Sequence, residues 1–90
     1  MRQPIYSGQF KRDLKVIQKR GKNMNKIKTV MRLLIEEQFL PASYKDHPLK
    51  GPWSSFRETH IESDWLLIYK IVGDNIRFER TGRHSDLFDE

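Results

Sequence analysis

At Pro41 the hydrophobic period of this 90-residue chain changes, and with it the kind of structure the chain can form. Before Pro41, Phe10, Leu14 and Ile17 recur at i, i+4 and i+7, and Ile27, Val30, Met31, Leu34 and Gln38 share a second stripe. That spacing predicts two amphipathic helices. Ser7 and Asn23 are suited to cap their starts, Gly21 ends the first, and the second stops before Pro41. After Pro41 the pattern alternates. "FRETHI", "DWLLIYKIV" and "NIRFERTG" read as three strands joined by tight "ES" and "GD" turns. Trp65 to Val72 is apolar on both faces apart from Lys70, which marks a central strand. "PIYS" at the start is an edge strand, since Pro4 cannot donate to a ladder. The expected fold is α+β, one small domain over residues 1–90, in the order β-α-α-β-β-β. A helical hairpin packs on an antiparallel sheet, and a short helix or turn follows at His84 to Phe88. With two-residue turns, His60 pairs with Trp65 and Trp65 with Gly82. One face then carries Phe56, Trp65, Leu67, Tyr69, Ile71, Ile76 and Phe78, against which the helices pack.

A chain of this length holds one core but not two. It has no cysteine, so neither a disulfide nor a thiolate-bound metal supports the fold, and an intracellular home is expected. The N-terminus lacks the apolar stretch of a signal peptide, and no run approaches the roughly 18 apolar residues of a membrane span. A soluble, cytoplasmic protein with no membrane partner follows. The net charge of +5 is unevenly spread: residues 1–50 hold twelve Lys or Arg against four Asp or Glu, the remainder five against eight. Lys11, Lys15, Lys19, Lys26 and Lys28 lie in the helical part, where a polyanionic partner would bind. Charge alone does not separate that reading from a solvated helix face.

The three histidines, His47, His60 and His84, each have an aspartate within four residues. Their spacing contains no i, i+4 pair, so no metal or other cofactor is expected. Ser63 and Ser85 sit in no nucleophile elbow. Acid–base cleavage of RNA demands less, because the ribose 2′-OH is the nucleophile and the protein supplies only proton transfers and cationic stabilisation. The strand register brings His60, Asp64, Trp65, Arg80, Arg83 and His84 to one edge of the sheet. Alternation puts His60 and Asp64 on opposite faces, so a bulge is needed before they can act together. Trp65 and Phe88 offer faces for base stacking, although Trp65 equally fits a core. A plain hairpin at "HPLKGPW" would leave His47 near Phe56, at the far end from His60.

The segments "YSGQFKRDLK", "YKDHPLKGPW", "FRETHIESDWLLIYK" and "RFERTGRHSDLF" closely resemble the YafQ family of the RelE/ParE toxin superfamily over essentially the whole chain. The pattern H-P-L, H-I-x-x-D-W and T-G-x-H-x-x-L-F is specific to that branch. The resemblance implies a toxin that cleaves translated mRNA in the ribosomal A site and is restrained by a DinJ-like antitoxin. It also implies functional roles for His47, His60, Asp64 and His84, with Trp65 and Phe88 as site aromatics, and so draws His47 into the site against the hairpin estimate. Arg80 and Arg83 would meet the substrate, and the five helical lysines the 70S ribosome. Two other readings stay open: a ParE-like toxin that binds gyrase, and a non-catalytic RNA-binding module.

Overall fold

Both long helices begin and end on local chemistry. A computed structural model, which describes residues 1–88, contains β1 (Gln3–Tyr6), α1 (Gly8–Lys19), α2 (Met24–Ile35), β2 (His47–Pro48), β3 (Arg57–Glu62), β4 (Trp65–Val72), β5 (Asn75–Gly82) and α3 (His84–Phe88). Ser7 caps α1: its Oγ accepts from the Phe10 amide at 2.9 Å and donates to the Glu79 carbonyl at 2.7 Å. Asn23 caps α2 by accepting from the Asn25 amide at 3.0 Å. At the other end of α1, the Gly21 and Lys22 amides donate to Gln18 and Ile17, with Gly21 at φ +79°. The same double bond closes α2, where Glu37 occupies the left-handed position at φ +60° and its amide and that of Gln38 donate to Leu34 and Leu33. α2 therefore ends at Ile35, well short of Pro41, and Gln38 is not on its apolar stripe.

The sheet has the order β1-β5-β4-β3-β2. The α+β class and the helical hairpin are as expected, but the sheet is mixed: β1 runs parallel to β5, and the two-residue β2 adds a fifth strand. β4 lies at the centre, and Trp65 through Tyr69 are all buried. On one face Trp65, Leu67, Tyr69, Ile76 and Phe78 pack under Phe10, Ile17, Ile27, Val30 and Leu34 of the helices. On the other, Leu66, Ile68 and Leu87 form a smaller cluster walled by Leu49, Trp53, Phe56 and Phe88. Phe56 thus belongs to the face away from the helices. Ile71, near the end of β4, is 41% exposed and leaves the core. Leu67→Ala should cost about 2 to 5 kcal/mol by removing a fully buried side chain, and a urea melt that matched the parent would refute this packing.

Two bulges change the expected register. β4 and β5 pair as the "GD" turn dictates as far as Tyr69 with Phe78, then shift between Ile68 and Tyr69 so that Leu66, not Trp65, opposes Gly82. β3 and β4 turn at Ser63-Asp64 rather than "ES", and a shift between His60 and Glu62 sets His60 opposite Leu66. Cross-strand partners share a face. His60 therefore sits with Leu66 on the open face, while Trp65 turns under the helices.

Candidate active site

On the face away from the helices, three histidines surround one carboxylate. Glu58 of β3 is 4% exposed. The His60 Nε2 lies 3.4 Å and the His84 Nε2 3.7 Å from its Oε1, and the His47 Nε2 lies 3.8 Å from its Oε2. The rings form a row, with centroids 6.2 Å apart from His47 to His60, 6.2 Å from His60 to His84, and 5.9 Å from His84 to Phe88. Glu58 and His60 share a face because they are two apart on one strand. Nothing in the sequence singles out Glu58. In "RETH" a carboxylate at an alternating position reads as a solvated residue, and only the walls contributed by β2 and α3 bury it.

His47 reaches the cluster because "HPLKGPW" is not a plain hairpin. A 3-10 turn at Gly51–Trp53, entered with Gly51 at φ +64°, takes up the extra residues, so His47 pairs with Glu58 rather than lying beside Phe56. Its Nδ1 is 2.8 Å from the Lys45 carbonyl. A carbonyl only accepts, so Nδ1 carries the proton and Nε2 is the atom turned towards Glu58.

Asp64 partners His84, not His60. Its Oδ1 lies 3.6 Å from the His84 Nδ1 and accepts from the His84 amide at 3.4 Å, while its side chain remains 62% exposed in the β3–β4 turn. The carboxylate beside His60 is Glu58. α3, which carries His84, is pinned to α1: the Arg20 guanidinium donates to both Asp86 oxygens at 2.7 and 3.2 Å, and the Arg83 amide donates to Asp86 at 2.9 Å. Arg20 holds the Asp86 carboxyl well below the usual carboxylate range, against a smaller opposing effect of burial. Gly82 makes this approach possible: at φ +155°, a Cβ there would stand 3.1 Å from the Asp86 Oδ2.

Two expected substrate contacts fall elsewhere. Trp65 is 1% exposed under the helices, and its Nε1 donates to the Thr81 Oγ1 at 3.0 Å, so its face is closed to a base. The bulge in β3, invisible to alternation, is what separates it from His60. Arg80 turns to α1, where its Nε donates to the buried Asp13 at 2.8 Å and ties the helix to β5. Arg83 is half exposed, 3.6 Å from Asp86. Phe88 stands beside His84, edge-on to Trp53 at 6.0 Å. Trp53, not Trp65, is the tryptophan of this face. Lys11, Lys15, Lys19, Lys26 and Lys28 are all exposed, but Lys26 and Lys22 both bind Glu62, at 2.8 and 3.0 Å, and hold its carboxyl below the ordinary range. Among the described residues no helix is long and apolar enough to cross a membrane, and no group of three or more potential ligands is arranged to hold a metal ion.

A helical hairpin on one face of a small mixed sheet, with imidazoles and carboxylates gathered on the other, defines a RelE-like toxin domain. The chain belongs to the YafQ family, bacterial toxins of type II toxin–antitoxin systems, whose family model matches residues 2–89. It is 56% identical over 84 residues to the mRNA interferase toxin YafQ of Escherichia coli K12, covering 92% of this chain and 91% of that protein. The toxin in the crystal structure of the E. coli DinJ–YafQ complex superposes with a TM-score of 0.92 at 54% identity, covering 98% of this chain and 99% of that one. A metal-bound toxin from Helicobacter pylori superposes with a TM-score of 0.91 at 40% identity, covering 98% and 100%.

Proposed function

We propose that this toxin is an mRNA interferase, an endoribonuclease that cleaves translated mRNA in the ribosomal A site by metal-independent acid–base catalysis. The observation that carries this reading is the convergence of three imidazoles on one buried carboxylate at an open face. His60 removes the proton from the ribose 2′-OH, and Glu58 at 3.4 Å stabilises the imidazolium that forms. The 2′-oxygen bonds to phosphorus, the bond from phosphorus to the 5′-oxygen breaks, and His84 gives that oxygen its proton. The products are a 2′,3′-cyclic phosphate, open to hydrolysis to a 3′-phosphate, and a 5′-OH. His47 faces the phosphate between them, Arg83 supplies charge at the rim, and Phe88 stacks on a base. Asp64, on the far side of His84, orients its ring.

The exposed lysines of α1 and α2 hold ribosomal RNA, and a DinJ-like antitoxin restrains the toxin in the cytoplasm. Charge reversal at Lys15, Lys19 and Lys28 should weaken ribosome binding and flatten its salt dependence without moving the cleavage site, because each neutralised phosphate releases counterions. Unchanged affinity would place the docking surface elsewhere. Primer-extension mapping of mRNA in a purified translation system, with and without EDTA, tests the activity itself. Stops in the A site that persist in EDTA support it. Inhibition by EDTA that zinc reverses would instead make the imidazole cluster a metal centre. No stops, with gyrase inhibited, would indicate a ParE-like activity, and no stops without gyrase inhibition a non-catalytic RNA-binding module.

A further inference from the structure

β2 is too short to hold His47 by itself, since it is two residues long and pairs only with Arg57 and Glu58. The restraint comes from the opposite face of the sheet. Lys45 takes a left-handed conformation, φ +48°, after which Asp46 turns towards the helix side and His47 towards the open side. The Asp46 Oδ1 accepts from the Tyr69 hydroxyl at 2.6 Å, and its Oδ2 accepts from the Arg57 Nε at 3.2 Å. Tyr69 and Arg57 are cross-strand partners on β4 and β3, and the Tyr69 ring lies in the core beneath the helices. The loop is steadied further by the Thr59 Oγ1, which donates to the Tyr44 carbonyl at 2.9 Å, by the Lys45 amide, which donates to the Ala42 carbonyl at 3.0 Å, and by the bond between the His47 Nδ1 and the Lys45 carbonyl at 2.8 Å.

We propose that Asp46 is a positioning residue, which transmits the rigidity of the core through Tyr69 and Arg57 to the His47 ring. Only a carboxylate does this fully. It presents an acceptor to each donor, and both bonds carry the strength of an ionised acceptor. Burial, and after it the hydrogen bond to Asp46 and the Asp46 charge, keep the Tyr69 hydroxyl above the ordinary phenol range, so it remains a donor. Asparagine at position 46 would turn an N–H towards one of the two donors and leave that bond unmade. With the Asp46 bonds lost, the left-handed turn at Lys45 is free to relax, and the ring leaves its place opposite Glu58.

The effect on cleavage rests on the acid–base reading above, whereas the effect on the ring does not, and the test separates them. NMR spectra of the histidine side chains are recorded on the free toxin for the parent, Asp46→Asn, Tyr69→Phe and, as a remote control, Glu79→Gln, whose carboxylate pairs only with Arg77 across 2.7 Å among the described residues. In Asp46→Asn the His47 signals should move to those of a mobile imidazole while His60 and His84 keep theirs. Tyr69→Phe should shift them part of the way, and Glu79→Gln not at all. Single-turnover cleavage by Asp46→Asn should fall about 10- to 100-fold, in the rate rather than in ribosome affinity. His47→Ala added to Asp46→Asn should cost nothing more. His47 signals identical to the parent's in Asp46→Asn, or equal movement of all three histidines, would overturn the proposal. A moved His47 ring with unchanged cleavage would retain the positioning and remove His47 from the reaction.

Discussion

Alanine at position 84 is expected to slow single-turnover cleavage of ribosome-bound mRNA by about 100- to 10,000-fold, the usual contribution of a general acid. The geometry around His84 suits that role: one ring nitrogen faces Glu58 at 3.7 Å and the other faces Asp64 at 3.6 Å, while its side chain remains 43% exposed to solvent. Ribosome binding through the exposed lysines, as proposed above, should persist, because α1 and α2 lie on the other face of the sheet. His60→Ala and Asp64→Ala should also lose rate, and in combination with His84→Ala the losses should not add, since the proposed mechanism makes the groups one unit. Parent-like rates in all three single variants would remove the acid–base proposal.

Glu58→Gln should cost about 100-fold or more in the same assay, although this side chain is too deeply buried to meet the substrate. Glutamine keeps the volume but not the charge that faces three imidazole nitrogens. The loss should therefore fall on kcat, with KM little changed, and far-UV circular dichroism should match the parent. A rate equal to the parent's would reduce Glu58 to a filler of the open face. A large loss accompanied by unfolding would leave the question to Glu58→Asp, which retains the charge and should recover part of the rate.

Local features were legible in the sequence wherever local chemistry decides them. Ser7, Gly21 and Asn23 punctuate the helices as their side chains and backbones require, and the "GD" turn sets the start of the β4–β5 pairing. Features decided by a single inserted residue were not. The bulge between His60 and Glu62 leaves the alternation of "FRETHI" intact to the eye, yet it exchanges the partners of His60 and assigns Asp64 to His84. On a strand buried on both faces, periodicity cannot say which way Trp65 points, and it became a candidate for stacking when it is part of the core. Strand register groups Arg80 with the histidines, whereas its guanidinium turns to Asp13, on a helix that no strand pattern brings near. The resemblance to the family placed His47 where hairpin geometry did not. Glu58 needed the assembled walls of β2, β3 and α3 to be seen at all.

β4 carries two interleaved texts. Trp65, Leu67 and Tyr69 are read by the helices, and Leu66 and Ile68 by the histidine face. Two selective pressures therefore fall on alternate letters of one word. In a saturation scan Trp65 and Leu67 should lose stability with little change in the activity of the folded protein, Tyr69 should lose both because its hydroxyl holds Asp46, and Leu66 and Ile68 should alter turnover as well as stability, since all five side chains are buried. A change to the histidine face can then be written on every second residue, in letters that the helices do not read.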